Sequence, residues 1–104
     1  MKVFIDEQVH QEIESFYQVA LSLHETLTEE TVMRKMQRLY QSLNSLGDYP
    51  CLYSSARVKK SWVDAGYREF ICEDFHFAYQ LCADEDGETF VMIVDAVHSL
   101  LNHG

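Results

Sequence analysis

With 104 residues, 47% of them apolar and 12% aromatic, the chain has the size of one domain with its own core and is too apolar for disorder. Seventeen acidic residues against eight basic ones give a formal charge of −9, which argues against a broadly cationic surface for nucleic acid and leaves only local clusters of positive charge. No apolar run approaches the ~20 residues that span a bilayer, and Lys2 with three apolar residues before Asp6 makes no signal peptide, so a cytoplasmic location with no membrane partner is expected.

Lys2 to Asp6 reads as a short strand of β-branched and aromatic residues. Val9, Ile13, Phe16, Tyr17, Ala20 and Leu21 then recur at spacings of three and four, which predicts an amphipathic helix from about Glu7 to Thr26. Thr28 is placed to cap a second helix with Glu29 and Glu30 in its first turn, where acidic groups suit the positive end of the dipole. Val32, Met36, Leu39, Tyr40, Leu43 and Leu46 form its stripe, and Gly47 stands where a helix C-terminus favours φ > 0. The short link makes the two helices an antiparallel hairpin. Arg34, Lys35 and Arg38 read as a solvated face supported by the pair Glu30–Arg34.

Asp48 to Ser55 is a loop holding the only proline, Pro50. Arg57 to Val63 reads as a strand with Val58 and Trp62 among cations, and Asp64-Ala65-Gly66 as a turn. Tyr67 to Glu73 is the next strand, with Glu73-Asp74 bounding a turn. Phe75, Phe77, Tyr79 and Leu81 then alternate strictly with His76, Ala78, Gln80 and Cys82, the period of a half-buried strand. Asp84 to Glu88 carries the Asp-Gly pair of a hairpin, and Thr89 to Val94 returns as a strand. The tail from His98 to Gly104 is expected to fray beyond Leu101. The order is strand, helix, helix and three or four strands: a two-layer α+β domain, with the helical hairpin covering a mainly antiparallel sheet.

Chemistry-bearing motifs are sparse. Cys51, Cys72 and Cys82 form no Cys-x-x-Cys pair and read as small hydrophobes in a reducing compartment. His10, Glu14 and His24 share a helix, yet no two histidines have the i, i+4 spacing of a zinc site, and four glycines build no phosphate loop. No metal and no cofactor are expected.

The element order, Leu46-Gly47-Asp48-Tyr49 at the end of the second helix, the stretch Gly66-Tyr67-Arg68-Glu69-Phe70 leading through a short turn to the aromatic strand Phe75–Leu81, and Val97-His98 after the last strand together resemble the RelE/ParE superfamily of bacterial toxins. The resemblance covers nearly the whole chain. It implies the toxin half of a type II toxin–antitoxin (plasmid-stabilization) module, inhibited by a cognate antitoxin protein and directed at ribosome-bound messenger RNA or at DNA gyrase. Its ribonuclease members imply an mRNA endoribonuclease, an mRNA interferase. Three features depart from those members. His76 stands where they usually carry an arginine, Ser99 and Leu100 follow His98 in place of an arginine, and the net charge is acidic. A ParE-like gyrase inhibitor and a non-catalytic protein-binding member are therefore the alternatives.

Metal-free RNA cleavage needs a base for the 2′-hydroxyl, a cation for the transition-state phosphate and an acid for the leaving oxygen. His76 and His98 are the candidate base and acid, because imidazole titrates near physiological pH. Arg68, with Arg57, Lys59 or Lys60, is the candidate phosphate clamp, and Tyr67 or Tyr79 is a candidate to stack a base or donate a proton. Each has a plainer reading. His76 points away from the aromatic stripe and would then be a residue of the uncovered sheet face, and His98 a strand cap. The cations would blunt an edge strand, and the tyrosines would be core. Without the resemblance the chain reads as an interaction domain that binds a partner through the edge strand Lys2–Asp6 or through Trp62.

Overall fold

The computed structural model describes residues 1–99. Strand β1 (Lys2–Ile5) leads into helices α1 (Glu7–Leu23) and α2 (Glu29–Ser45), then a short helix α3 (Lys60–Ala65) and strands β2 (Arg68–Cys72), β3 (Phe75–Ala83) and β4 (Thr89–His98). The sheet order is β1-β4-β3-β2, with β1 parallel to β4 and the other pairs antiparallel. The expected α+β domain, a helical hairpin on a mainly antiparallel sheet, is the fold observed. No helix among the described residues is long and apolar enough to cross a membrane.

Local chemistry explains the helix starts. Asp6 accepts a hydrogen bond from Gln8 N at 3.0 Å, and Thr28 accepts one from Thr31 N at 3.1 Å, each satisfying a first-turn donor. Arg34 pairs with Glu30 at 3.1 Å on the solvent side, as the spacing predicts. The helix α1 stops at Leu23, short of Thr26. Gly47 does not take a positive φ; the described glycines that do are Gly66 and Gly87. Gly47 is required for another reason: a Cβ there would stand 2.1 Å from the Met1 carbonyl oxygen. The end of α2 thus clasps the start of β1.

Val9, Ile13 and Tyr17 of α1 and Val32, Leu39 and Leu43 of α2 pack with Phe70, Phe75, Phe77, Tyr79, Val91 and Ile93 in one core. Leu81 continues the stripe of β3 but lies beyond the helical cover and is 40% exposed. The register of β3 on β4 slips between Ala78 and Tyr79, whose partners are Asp95 and Ile93. Val94 is the extra residue, and this bulge sets Val94 and Asp95 side by side on the face opposite the hairpin.

That face is not left bare. Residues 60–65 form α3 in place of the strand expected over Arg57 to Val63. One short helix suffices to seat Trp62, 1% exposed, in a second cluster with Ala56 and Ala78, while Val58 lies before the helix start. Gly66, at φ 76°, closes the turn. Upstream, Glu69 N donates to Ser54 O and Ala56 N to Tyr67 O, so backbone, rather than the cations Arg57, Lys59 and Lys60, covers part of the outer edge of β2. Trp62, being buried, is no surface anchor for a partner. β4 runs on to His98, so the histidine belongs to the sheet; the frayed tail expected past Leu101 lies outside the described residues.

Candidate functional site

The densest polar cluster joins β2, β3 and the residue after β4. Glu73 and Asp74, both at positive φ, turn β2 into β3 in two residues. This register sets Glu69 opposite Ala78 and Ile71 opposite His76, which makes Glu69 and His76 diagonal neighbours on the outer face. His76 Nδ1 lies 3.2 Å from Glu69 Oε2, and His76 Nε2 lies 3.0 Å from Ser99 Oγ. The other carboxylate oxygen of Glu69 accepts from the backbone N–H of Arg57 and of Val58, each at 3.3 Å. Ser99 in turn is tied by its N–H and its hydroxyl to the Asp74 carbonyl, both at 2.9 Å. The imidazole therefore has a fixed ring plane. With Nδ1–H donating to the Glu69 carboxylate, Nε2 is left as an acceptor; because the Ser99 hydroxyl gives its one hydrogen to the Asp74 carbonyl, it can donate to Nε2 only by turning from that carbonyl.

Sequence reasoning singled out His76 and missed Glu69 and Ser99. The signal for Glu69 was present, because a two-residue turn at Glu73-Asp74 fixes which residue of β2 lies diagonal to His76. His76 is mostly covered rather than lying on an open sheet face.

The other candidates do not converge on it. His98 pairs with Phe75 on the helical face, 7% exposed, its ring stacked on Phe16 at 3.7 Å between centroids. Burial pushes its pKa below the usual 6.5; the Asp74 carboxylate opposes that shift and His76 adds to it. Arg68 lies opposite Tyr79 and donates to the Tyr53 carbonyl at 2.6 Å, also on the helical side. The partners of Arg68 and His98 on β3, Tyr79 and Phe75, stand four positions apart, a span of roughly 13 Å at strand rise. Tyr79 is wholly buried, donates to the Pro50 carbonyl at 2.6 Å, and has its pKa raised by that burial against the opposing pull of Arg68.

On the outer face, Lys59 reaches Asp95 at 3.8 Å with its ammonium 5.7 Å from the centre of the Trp62 ring, and Lys60 pairs with Asp64 at 3.3 Å. Tyr67 packs against the Trp62 cluster. Arg57 is exposed beside Glu69 and lines a shallow polar hollow with Ser54 and Ser55. Of the cations named from sequence, Arg57 is thus the one placed next to His76's carboxylate with its guanidinium in no ion pair among the described residues. No family model matches the chain, and no curated protein matches it.

Proposed function

We propose that the chain is the toxin component of a type II toxin–antitoxin module, of RelE/ParE type, that halts translation by cutting messenger RNA on the ribosome, with a cognate antitoxin as its inhibitor. The observation that carries this reading is the fixed imidazole of His76 between a largely covered carboxylate and an exposed hydroxyl. A ribose 2′-hydroxyl replacing the Ser99 hydroxyl beside Nε2 would give its proton there; Ser99 itself gives its hydrogen to the Asp74 carbonyl. Glu69 keeps the ring in the accepting tautomer and stabilises the imidazolium that forms. The freed 2′-oxygen attacks the adjacent phosphorus to close a 2′,3′-cyclic phosphate, and the bond to the 5′-oxygen breaks, that oxygen taking its proton from solvent water. Arg57 is the phosphate contact nearest this geometry; Lys59 and Lys60 join it only by leaving their carboxylate partners. His98, on the other face, is not the acid of this step.

The second reading, a gyrase inhibitor or a non-catalytic protein-binding member, is favoured by that same tying-up of Lys59, Lys60 and Arg68 within the chain. Controlled induction in a bacterial host separates the readings. The first expects growth arrest that His76→Gln abolishes while the protein stays soluble. Arrest that survives His76→Gln, with a DNA-damage response, moves the target to gyrase. No arrest by the soluble wild-type chain leaves only the binding module.

A further inference from the structure

The outer face of the sheet has two halves, and α3 covers one. On the other, alternation along β1 and β4 turns Phe4, Phe90 and Met92 away from the helical core, since Val3, Ile5, Val91 and Ile93 point into it. Phe4 is 47% exposed and meets Phe90 edge to face at 5.2 Å. These side chains floor an open groove of about 1010 Å³. Its rim is the β3–β4 hairpin, where Asp84, Glu85, Asp86 and Glu88 are all exposed and in no ion pair among the described residues. Lys2, at the same end, offsets one of these charges.

We propose that this half-face docks an amphipathic helix of a partner protein, with an apolar stripe laid on Phe4, Phe90 and Met92 and with lysines or arginines beside the stripe meeting the acidic hairpin. Three observations support it. A sheet face with exposed aromatics is completed by another layer, and α3 already supplies that layer on the adjoining half. The strands β1, β4 and β3 span roughly 10 Å across, about the width of one helix. The uncompensated charge at the rim selects a cationic partner and repels an acidic one.

The test uses the full chain and two labelled peptides of about 14 residues, leucine at helical spacing on one face of each, with lysine on the other face of one and glutamate on the other. Anisotropy titration is expected to show the lysine peptide binding at least ~10-fold tighter than the glutamate peptide, with affinity falling as salt rises. Phe4→Gln is expected to weaken binding about 5-fold or more, and the double change Glu85→Gln/Glu88→Gln about 3-fold or more. Both side chains of the acidic pair are exposed and in no ion pair among the described residues, and Glu88 holds the hairpin only through its backbone, so this change decides the matter if Phe4→Gln does not fold. The proposal is overturned if neither peptide binds, if both bind alike, or if the double change leaves the lysine peptide's affinity and salt dependence as they were. It is equally overturned if light scattering shows a wild-type dimer that Phe4→Gln dissolves, because a second copy would then own this face.

Discussion

Removing the Asp95 carboxylate tests how the second face is held. Its Oδ2 accepts from the Trp62 indole N–H at 2.8 Å, its Oδ1 from Ala96 N at 2.9 Å, and Lys59 stands 3.8 Å away. Asp95→Ala leaves the N–H of a fully buried tryptophan without its acceptor, which costs about 1–3 kcal/mol. The partly exposed Lys59 pair adds at most ~1 kcal/mol. Asp95→Asn keeps one oxygen for two donors, so its loss falls near half that of Asp95→Ala, about 1 kcal/mol. Trp62 is the only tryptophan, so urea unfolding is followed by far-UV circular dichroism in all variants. In a cycle with Trp62→Phe, which removes the donor, the two changes should couple by about 1 kcal/mol. If Asp95→Ala costs less than ~0.5 kcal/mol, or if the two changes simply add, the indole–carboxylate bond does not hold α3 to the sheet.

Two glycines should respond differently to alanine. Gly47→Ala drives a Cβ against the Met1 carbonyl and should cost ~1–3 kcal/mol with loss of amide protection in β1, whereas Gly66→Ala meets open space and should cost only ~1 kcal/mol of backbone strain; urea midpoints with hydrogen exchange compare them. His98 gives a pH dependence. Its folded pKa lies below 6.5, so the unfolded chain binds the proton first; its share of stability is complete above 6.5 and is lost as pH falls from there toward the folded pKa. Unfolding midpoints should decline on acidification across that window in the wild type and decline less in His98→Gln; equal slopes would refute it. Glu69→Gln should lower cleavage by ~10²-fold or more while the chain still folds, since the ring loses its orienting carboxylate; unchanged cleavage would dismiss Glu69 as a positioning residue.

The helices and β3 were legible because their apolar periods are long, and the second helix carries a clear cap at Thr28; the Asp6 cap of the first helix was hidden at the end of a strand reading. The short helix α3 was not. Six residues hold a single buried anchor, and Trp62-Val63 has the composition of a strand, so only the tertiary pocket over Ala78 decides. Gly47 was recognised as special for the wrong reason, since a close approach of Met1 is invisible in local sequence. His76 was visible as a titratable residue on the polar side of a strand. Its partners were not, because Ser99 comes from 23 residues away and Glu69 is found only by fixing the hairpin register. The cationic cluster read along the chain disperses in space, because α3 and the strand pleat send Arg68 to one face and Lys59 and Lys60 to the other.

The most direct test of the account is to map 5′ ends on a reporter message from cells induced for the wild-type chain, His76→Gln and Phe4→Gln. The account predicts discrete new ends within the translated region for the wild type and for Phe4→Gln, and none for His76→Gln. An intact message during wild-type arrest, or the same ends with His76→Gln, would contradict it.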